Sequence, residues 1–501
     1  MWVYAVVTGC LLIVAAHAAG LRSALGGSAW QAARLVRGLW VATIAGPSLL
    51  VLQSLARHAG LPALAAFLVA ALVVLGVAYL TGRAAAEDGG DRWRRGSAVE
   101  TVTASGTAPA AGLAIGPLAV PEADEPKHFK FIGTTGTGKS TAIHGLLAAA
   151  LARGDRAVIA DPDGGYLART YAASRGDVIL NPFDARSAVW QPFRELRAPH
   201  DARELARALI GSASGEAAAW HGYAETFLAA LFEQLQSLDT PPLTELYRAL
   251  SSASLTELRL MLRGTAAAPL VESGNERMFG SVRAIAMSRL AALPSILRQS
   301  GVHFSVRDWI RDGSGVLYLP YQADQIATLK HLISAWMRLA IFETMSLGES
   351  DRRLWFVVDE LDALGAIDGL KDALARLRKF GGRCVLGFQS IAQVSGTYGE
   401  AEAHTIVENC ATTLILRCSA SEGGGTARFA SQLIGQREIE RVQVSRSRAW
   451  GERRERVSRT TQVALEQAVL PSEIETLADL EGYVKLASQP TWRRIRLPLK
   501  R

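Results

Sequence analysis

Gly133-Thr-Thr-Gly-Thr-Gly-Lys-Ser140, preceded by Phe129-Lys-Phe-Ile132, decides the fold. The eight residues spell G-x-x-x-x-G-K-S, a loop that cradles phosphate between a strand and a helix. The four residues before it read as a short buried strand, and residues 141–151, rich in Ala and Leu, read as a helix. Glycines allow successive backbone N–H groups to point into one concavity, and the helix N-terminus adds partial positive charge. Gly133, Thr134, Thr135, Gly136, Thr137, Gly138, Lys139, Ser140 and Thr141 are therefore the expected nucleotide-binding residues. Lys139 supplies a charge for the outer phosphates and Ser140 a hydroxyl for Mg2+. A chance match in a glycine-rich chain is the alternative, and the strand-loop-helix context argues against it.

A second motif completes the chemistry. Residues 353–358 form an apolar run, as expected of a central parallel strand, and end in Asp359-Glu360. A carboxylate at the end of such a strand holds Mg2+, and the next can act as general base toward water. Asp359 is thus the metal-side residue and Glu360 the base. A simple strand cap is the bland reading, and Lys139 upstream weighs against it. Gln389 closes the following strand, residues 383–387, where an amide can position water or meet the γ-phosphate. Multimeric ATPases complete such a site with a neighbour's arginine, for which Arg376, Arg378 and Arg383 all qualify by position.

Around these motifs, short apolar strands alternate with helices, which predicts a mainly parallel α/β sheet. Further strands are expected at residues 155–160, 176–180, 315–319 and 412–416, and a long helix at 323–347. Asp161-Pro-Asp-Gly-Gly165 reads as a turn. Residues 200–299 lack strand signals and carry helical periodicity at 202–209, 220–235, 243–250, 255–262 and 279–293, the pattern of an all-α insertion. Trp220 and Tyr223 open its longest helix. Core packing is the favoured reading for both, and a partner surface is the alternative.

Before residue 83 the composition is different. Residues 2–20, 39–55 and 61–80 are apolar runs of bilayer-spanning length. Arg83, Arg92, Arg94 and Arg95 follow the third run, which places its C-terminal side in the cytoplasm. Three spans with the N-terminus outside, or two with it inside, both satisfy the pattern. The expected organisation is a membrane anchor at 1–82 and a linker with edge strands at 83–127. The nucleotide-binding domain then occupies 128–199 and 300–501, split by the insertion at 200–299.

The 501-residue chain carries a formal charge of +7, and its mean hydropathy is +0.15. Excess positive charge suits nucleic acid or an anionic membrane surface. Residues 441–460 hold seven arginines against two glutamates, in an alternation that reads as a hairpin strand able to meet a phosphate backbone. A solvated flap or a subunit contact fits equally. Four cysteines at 10, 384, 410 and 418 show neither metal spacing nor a disulfide framework.

In sequence order, residues 131–140, 156–165, 179–183, 274–277, 353–361, 387–390 and 470–474 resemble the coupling proteins of conjugative type IV secretion, the TraD/TraG/TrwB-like group. The resemblance implies a RecA-like ATPase core with a helical insertion, anchored in the bacterial inner membrane with the large C-terminal part cytoplasmic. It implies ATP and Mg2+ as cofactors and a hexamer around a channel for DNA. Single- and double-stranded DNA, a relaxase or accessory relaxosome protein, and channel components would be the partners. It also favours Arg378, in Leu377-Arg-Lys-Phe-Gly-Gly382, as the arginine acting across subunits. The family usually has two membrane spans, against three apolar runs here. Two other readings are a nucleotide-controlled recruitment module for secreted proteins and a septal DNA pump. Pumps of that kind usually carry a larger multi-span region and a winged-helix tail, neither evident here.

Overall fold

The computed structural model describes residues 92–102, 112–213, 215–238, 243–421, 424–447 and 456–498. The three apolar runs lie outside these residues. Among the described residues, no helix is long and apolar enough to cross a membrane. The chain packs as two units. Among the described residues, the larger holds those of Ser97–Gly435 and Gln467–Arg501, and the other holds those of Gln436–Glu466 with residues 92–96.

In the smaller unit, β1 (Arg92–Gly96) pairs antiparallel with the later strand Gln436–Ser447. The larger unit begins with β2 (Val99–Thr101) and the two-residue strands β3 (Ala114–Ile115) and β4 (Leu118–Ala119), which pair with each other. β5 (Phe129–Ile132) is followed by α1 (Lys139–Ala152), β6 (Arg156–Pro162), α2 (Gly165–Thr170) and β7 (Val178–Ile179). β8 (Val189–Trp190) leads into the insertion, formed by α3 (Asp201–Ile210), α4 (Ala217–Gln236), α5 (Leu243–Ser251), α6 (Leu255–Met261), α7 (Glu276–Arg289) and α8 (Leu293–Arg298). β9 (His303–Phe304) leads out of it and pairs parallel with β8.

That neck is stitched by a buried carboxylate. Glu195 accepts from the Trp190 indole, the Ser305 hydroxyl and the Val306 and Arg307 N–H groups, at 2.8–3.1 Å. A buried charge survives only when its lone pairs are satisfied in this way. Burial still raises its pKa. Within the insertion, Phe227 of α4 packs edge-to-face on Phe279 of α7, centroids 4.9 Å apart.

Beyond the neck come α9 (Val306–Asp312), β10 (Val316–Tyr321), α10 (Ile326–Ser346), β11 (Leu354–Val358), α11 (Leu370–Arg376), β12 (Gly382–Phe388), α12 (Ile391–Tyr398), α13 (Glu400–Asn409), β13 (Thr412–Ile415) and α14 (Gly425–Ile434). β14 (Gln436–Ser447) and β15 (Arg456–Gln467) lie side by side in the three-stranded sheet with β1. Arg441 pairs there with Glu466 at 2.9 Å. Of the hairpin strand expected at 441–448, residues 441–447 fall in the longer β14, and residue 448 lies outside the described residues. The chain closes with α15 (Pro471–Glu475), β16 (Glu481–Lys485) and β17 (Trp492–Arg496).

The central sheet runs β2-β17-β16-β13-β5-β12-β11-β6-β10-β7. From β13 to β7 every neighbouring pair is parallel. Alternate residues feed two cores. Leu354, Phe356 and Val358 of β11 face one, while Trp355 and Val357 face the other. This is why the strand reads as an unbroken apolar run. Burying each such side chain stabilises the fold by about 1.5–3 kcal/mol. Because the strands are parallel, the loops after β5, β11, β12 and β6 emerge on one edge, where ligands of open α/β sheets bind.

Candidate nucleotide site

β12 lies between β5 and β11, so the loop after β5 and Asp359-Glu360 after β11 flank the end of β12. Gly387 of β12 makes this approach possible, because a Cβ there would collide with the carbonyl of Asp359. The loop itself turns on Gly138, whose φ of 112° lies in the left-handed region that favours glycine. Thr134 N–H donates to the Arg417 carbonyl at 2.9 Å and Thr137 Oγ1 to the Thr134 carbonyl at 2.7 Å, which closes the loop on itself and on the segment that follows β13. Lys139 begins α1, and Thr141 is half-buried in its first turn. The first N–H groups of a helix have no partner within it and so face the loop's concavity.

Six side chains meet here. Ser140 Oγ donates to Asp359 Oδ2 at 2.5 Å. Lys139 Nζ stands 3.9 Å from Asp359 Oδ1, with both side chains almost fully buried. Thr135 Oγ1 donates to Gln389 Oε1 at 2.9 Å, and Gln389 Nε2 donates to Glu360 Oε1 at 3.0 Å. Gln389 thus links the phosphate loop to the expected base. Burial raises the Glu360 pKa, as does the Asp359 charge, while Lys139 opposes the shift.

The donor set fits a hard divalent cation. Asp359 Oδ1 is buried without a hydrogen-bond partner, and the Ser140 hydroxyl lies against the same carboxylate. Hydroxyl and carboxylate oxygens are what Mg2+ takes, alongside phosphate oxygens and water.

Sequence reading missed Tyr166. Its hydroxyl donates to Asp359 Oδ2 at 2.9 Å, and its ring stacks on His144 of α1 with centroids 4.0 Å apart. Burial, then the Asp359 charge, pushes the phenol pKa well up, so the group stays a donor. The signal available was the turn at Asp161. There Oδ1 accepts from Tyr166 N–H at 2.9 Å and Oδ2 from Leu167 N–H at 2.7 Å. Burial raises the Asp161 pKa to about 6 against these bonds.

The three arginine candidates separate by burial. Arg383 is spent inside the fold, donating to Glu125 and to the carbonyls of Arg352 and Gly381. Arg376 and Arg378 are exposed, and no side-chain partner of Arg378 occurs among the described residues. Arg378 precedes β12, at the edge of the sheet opposite the phosphate loop. The seven residues of β12 put it about 20 Å from its own chain's site. The elements on either side of it, α11 and β12, are tied together by His128, just before β5, which donates from Nε2 to the Leu374 carbonyl at 3.0 Å and accepts at Nδ1 from Cys384 N–H at 3.1 Å.

Trp220 and Tyr223 correct the expectation of core packing. They are 37% and 45% exposed and pack edge-to-face on each other, while Ala224, Phe227 and Leu228 are buried.

The model of the type IV secretion-system coupling protein DNA-binding domain matches residues 112–498. The chain belongs to the type IV secretion-system coupling protein family. Coupling protein TraD of Escherichia coli (strain K12) is 33% identical over 382 residues, which cover 75% of this chain and 53% of that protein. The chain thus spans about half the length of that relative. The coupling protein VirD4 of Bartonella henselae is 36% identical over 101 residues, 20% of this chain and 15% of that protein. Among solved structures, the unbound conjugative coupling protein TrwBdeltaN70 superposes with a TM-score of 0.73 at 31% identity, covering 82% of this chain and 94% of that one. TrwB in complex with ADP and Mg2+ gives a TM-score of 0.72 at 31% identity, with the same coverage. The family's architecture is the RecA-like α/β core with a helical insertion described above.

Proposed function

We propose that this chain is a membrane-anchored ATPase that drives DNA from a relaxosome into a type IV secretion channel. The observation that carries the reading is the convergence of Lys139, Ser140, Asp359, Glu360 and Gln389 at one sheet edge in a member of the coupling protein family. The relatives solved with ADP and Mg2+, or with ATP and GTP analogues, support ATP and Mg2+ as the bound species.

Bound Mg2+ would supply charge neutralisation across the outer phosphates. The loop from Gly133 to Thr141 would hold the phosphates by its N–H groups, and Lys139 would meet the outer two. Ser140 and Asp359 would hold the ion. Glu360 takes a proton from the attacking water, while Gln389 keeps that carboxylate in register with the loop. Arg378, remote from its own chain's site, would enter a neighbour's site and stabilise charge on the transferred phosphoryl group. A ring, by family precedent a hexamer, gives it that neighbour. Residues 1–82 would anchor the ring in the bacterial inner membrane, leaving the ATPase cytoplasmic. The arginine-bearing strand β14 suits a phosphate backbone.

The test is ATP hydrolysis with and without single- and double-stranded DNA under conditions that assemble the ring. Stimulation by DNA is expected; hydrolysis indifferent to DNA would remove the motor from the reading.

The exposed Trp220–Tyr223 pair favours a second role for the insertion, the recruitment of a relaxase or a secreted protein. Deleting residues 200–295 should abolish partner capture and leave hydrolysis intact. Capture by the deleted chain would move the recruiting surface elsewhere.

A further inference from the structure

The turn Asp161-Pro-Asp-Gly-Gly165 has no part in the nucleotide chemistry above, yet it is built with unusual care. Asp163 and Gly164 both take left-handed backbone angles, φ 57° and 67°. Aspartate is one of the few non-glycine residues that enter this region readily, so the pair makes a tight turn. Asp161, fully buried at the end of β6, holds the far side of the turn through the N–H groups of Tyr166 and Leu167. The result is a closed loop that delivers one side chain, Tyr166, to Asp359. His144, one helical turn beyond Ser140 on α1, stacks on the phenol and fixes its plane. Thr170 bonds back to the Tyr166 carbonyl at 2.8 Å.

The two oxygens of Asp359 are treated differently. Oδ2 accepts from Ser140 and from Tyr166, whereas Oδ1 has no hydrogen bond and lies on the Lys139 side. A carboxylate held by Ser140 alone would be free to turn once that hydroxyl moved to a metal ion. The phenol is the bond that persists.

We propose that Tyr166 is a positioning residue for the metal-side carboxylate: it holds Oδ2 of Asp359 so that Oδ1 stays presented to a divalent cation. The turn from Asp161 to Gly165 exists to place it. The inference rests on the reading of Asp359 as the metal-side residue of a nucleotide site. Groups that orient a metal's ligand typically contribute about 10–100-fold to metal affinity when removed. Simple core packing would make the ring matter and the hydroxyl indifferent.

Tyr166→Phe keeps the ring and its stacking and deletes only the hydroxyl. Tyr318→Phe is the control. It deletes a neighbouring phenol that contacts Thr170 at 2.8 Å and has no contact with Asp359. The measurement is the binding of a fluorescent ATP analogue by the full-length chain, titrated with Mg2+ and repeated in EDTA, with thermal unfolding alongside. Y166F should raise the Mg2+ midpoint at least about 10-fold. Binding in EDTA and the unfolding midpoint should stay at wild-type values, and Y318F should match the wild type throughout. An unchanged Mg2+ midpoint in Y166F would overturn the proposal. So would an equal loss in EDTA, a drop in unfolding temperature that accounts for the shift, or the same shift in Y318F. Wild-type binding with no Mg2+ dependence would instead sink the nucleotide-site reading underneath it.

Discussion

The amide nitrogen of Gln389 lies 3.0 Å from Oε1 of Glu360, and the two residues follow adjacent parallel strands of the sheet. Because Thr135 bonds the other end of the same carboxamide, Glu360, the proposed base, is tethered to the phosphate loop. Gln389→Ala should lower the rate of hydrolysis about 10- to 100-fold with nucleotide binding retained. Glu360→Gln should cost at least about 100-fold and leave ATP bound but uncleaved. Equilibrium binding beside single-turnover hydrolysis separates the two effects. A loss of ATP affinity that matched the loss of rate would reassign Gln389 to ground-state binding.

Much of this was legible in sequence, because each piece is local. The strand before Gly133, the run into Asp359 and the one into Gln389 are contiguous stretches whose patterning names both the element and its end. What stayed hidden depends on contacts across the fold. Tyr166 and Asp359 are 193 positions apart, and the turn at Asp161 marks a special backbone without naming the carboxylate it serves. Arg376, Arg378 and Arg383 are alike as letters, and only burial separates the structural guanidinium from the exposed ones. Trp220 fits a helix's apolar stripe, but the stripe extends past the point where other elements cover it.

Hydrolysis should also report the state of Glu360. A base acts only as the carboxylate, and burial raises this one's pKa. Activity should therefore fall, as pH is lowered, earlier than an ordinary glutamate would dictate, and recover as pH rises. A pH–rate profile of single-turnover hydrolysis checks this. A flat profile down to the ordinary glutamate range would contradict the assignment.

His128 predicts acid lability of the fold. Burial, aided by Arg383 and Arg378, lowers its pKa to about 4. The native state thus favours the neutral ring. The stabilisation is fully present above the ordinary histidine pKa of about 6.5 and is lost as pH falls toward 4, up to about 3 kcal/mol in all. Denaturant unfolding at pH 7 and pH 4.5 should show the loss, and His128→Gln should shrink the difference between the two. An identical difference in the variant would place the acid sensitivity in other groups.

The proposed completion of each site by a neighbouring subunit's Arg378 is tested most directly in mixed rings. Arg378→Ala alone should reduce hydrolysis by at least about 1,000-fold, and Glu360→Gln alone should be similarly inactive. When the two variants are co-assembled, an E360Q subunit offers its intact Arg378 to a neighbour that retains Glu360. Hydrolysis should then rise well above the sum of the separate variants. A mixture no more active than that sum, in rings shown to contain both chains, would contradict the claim.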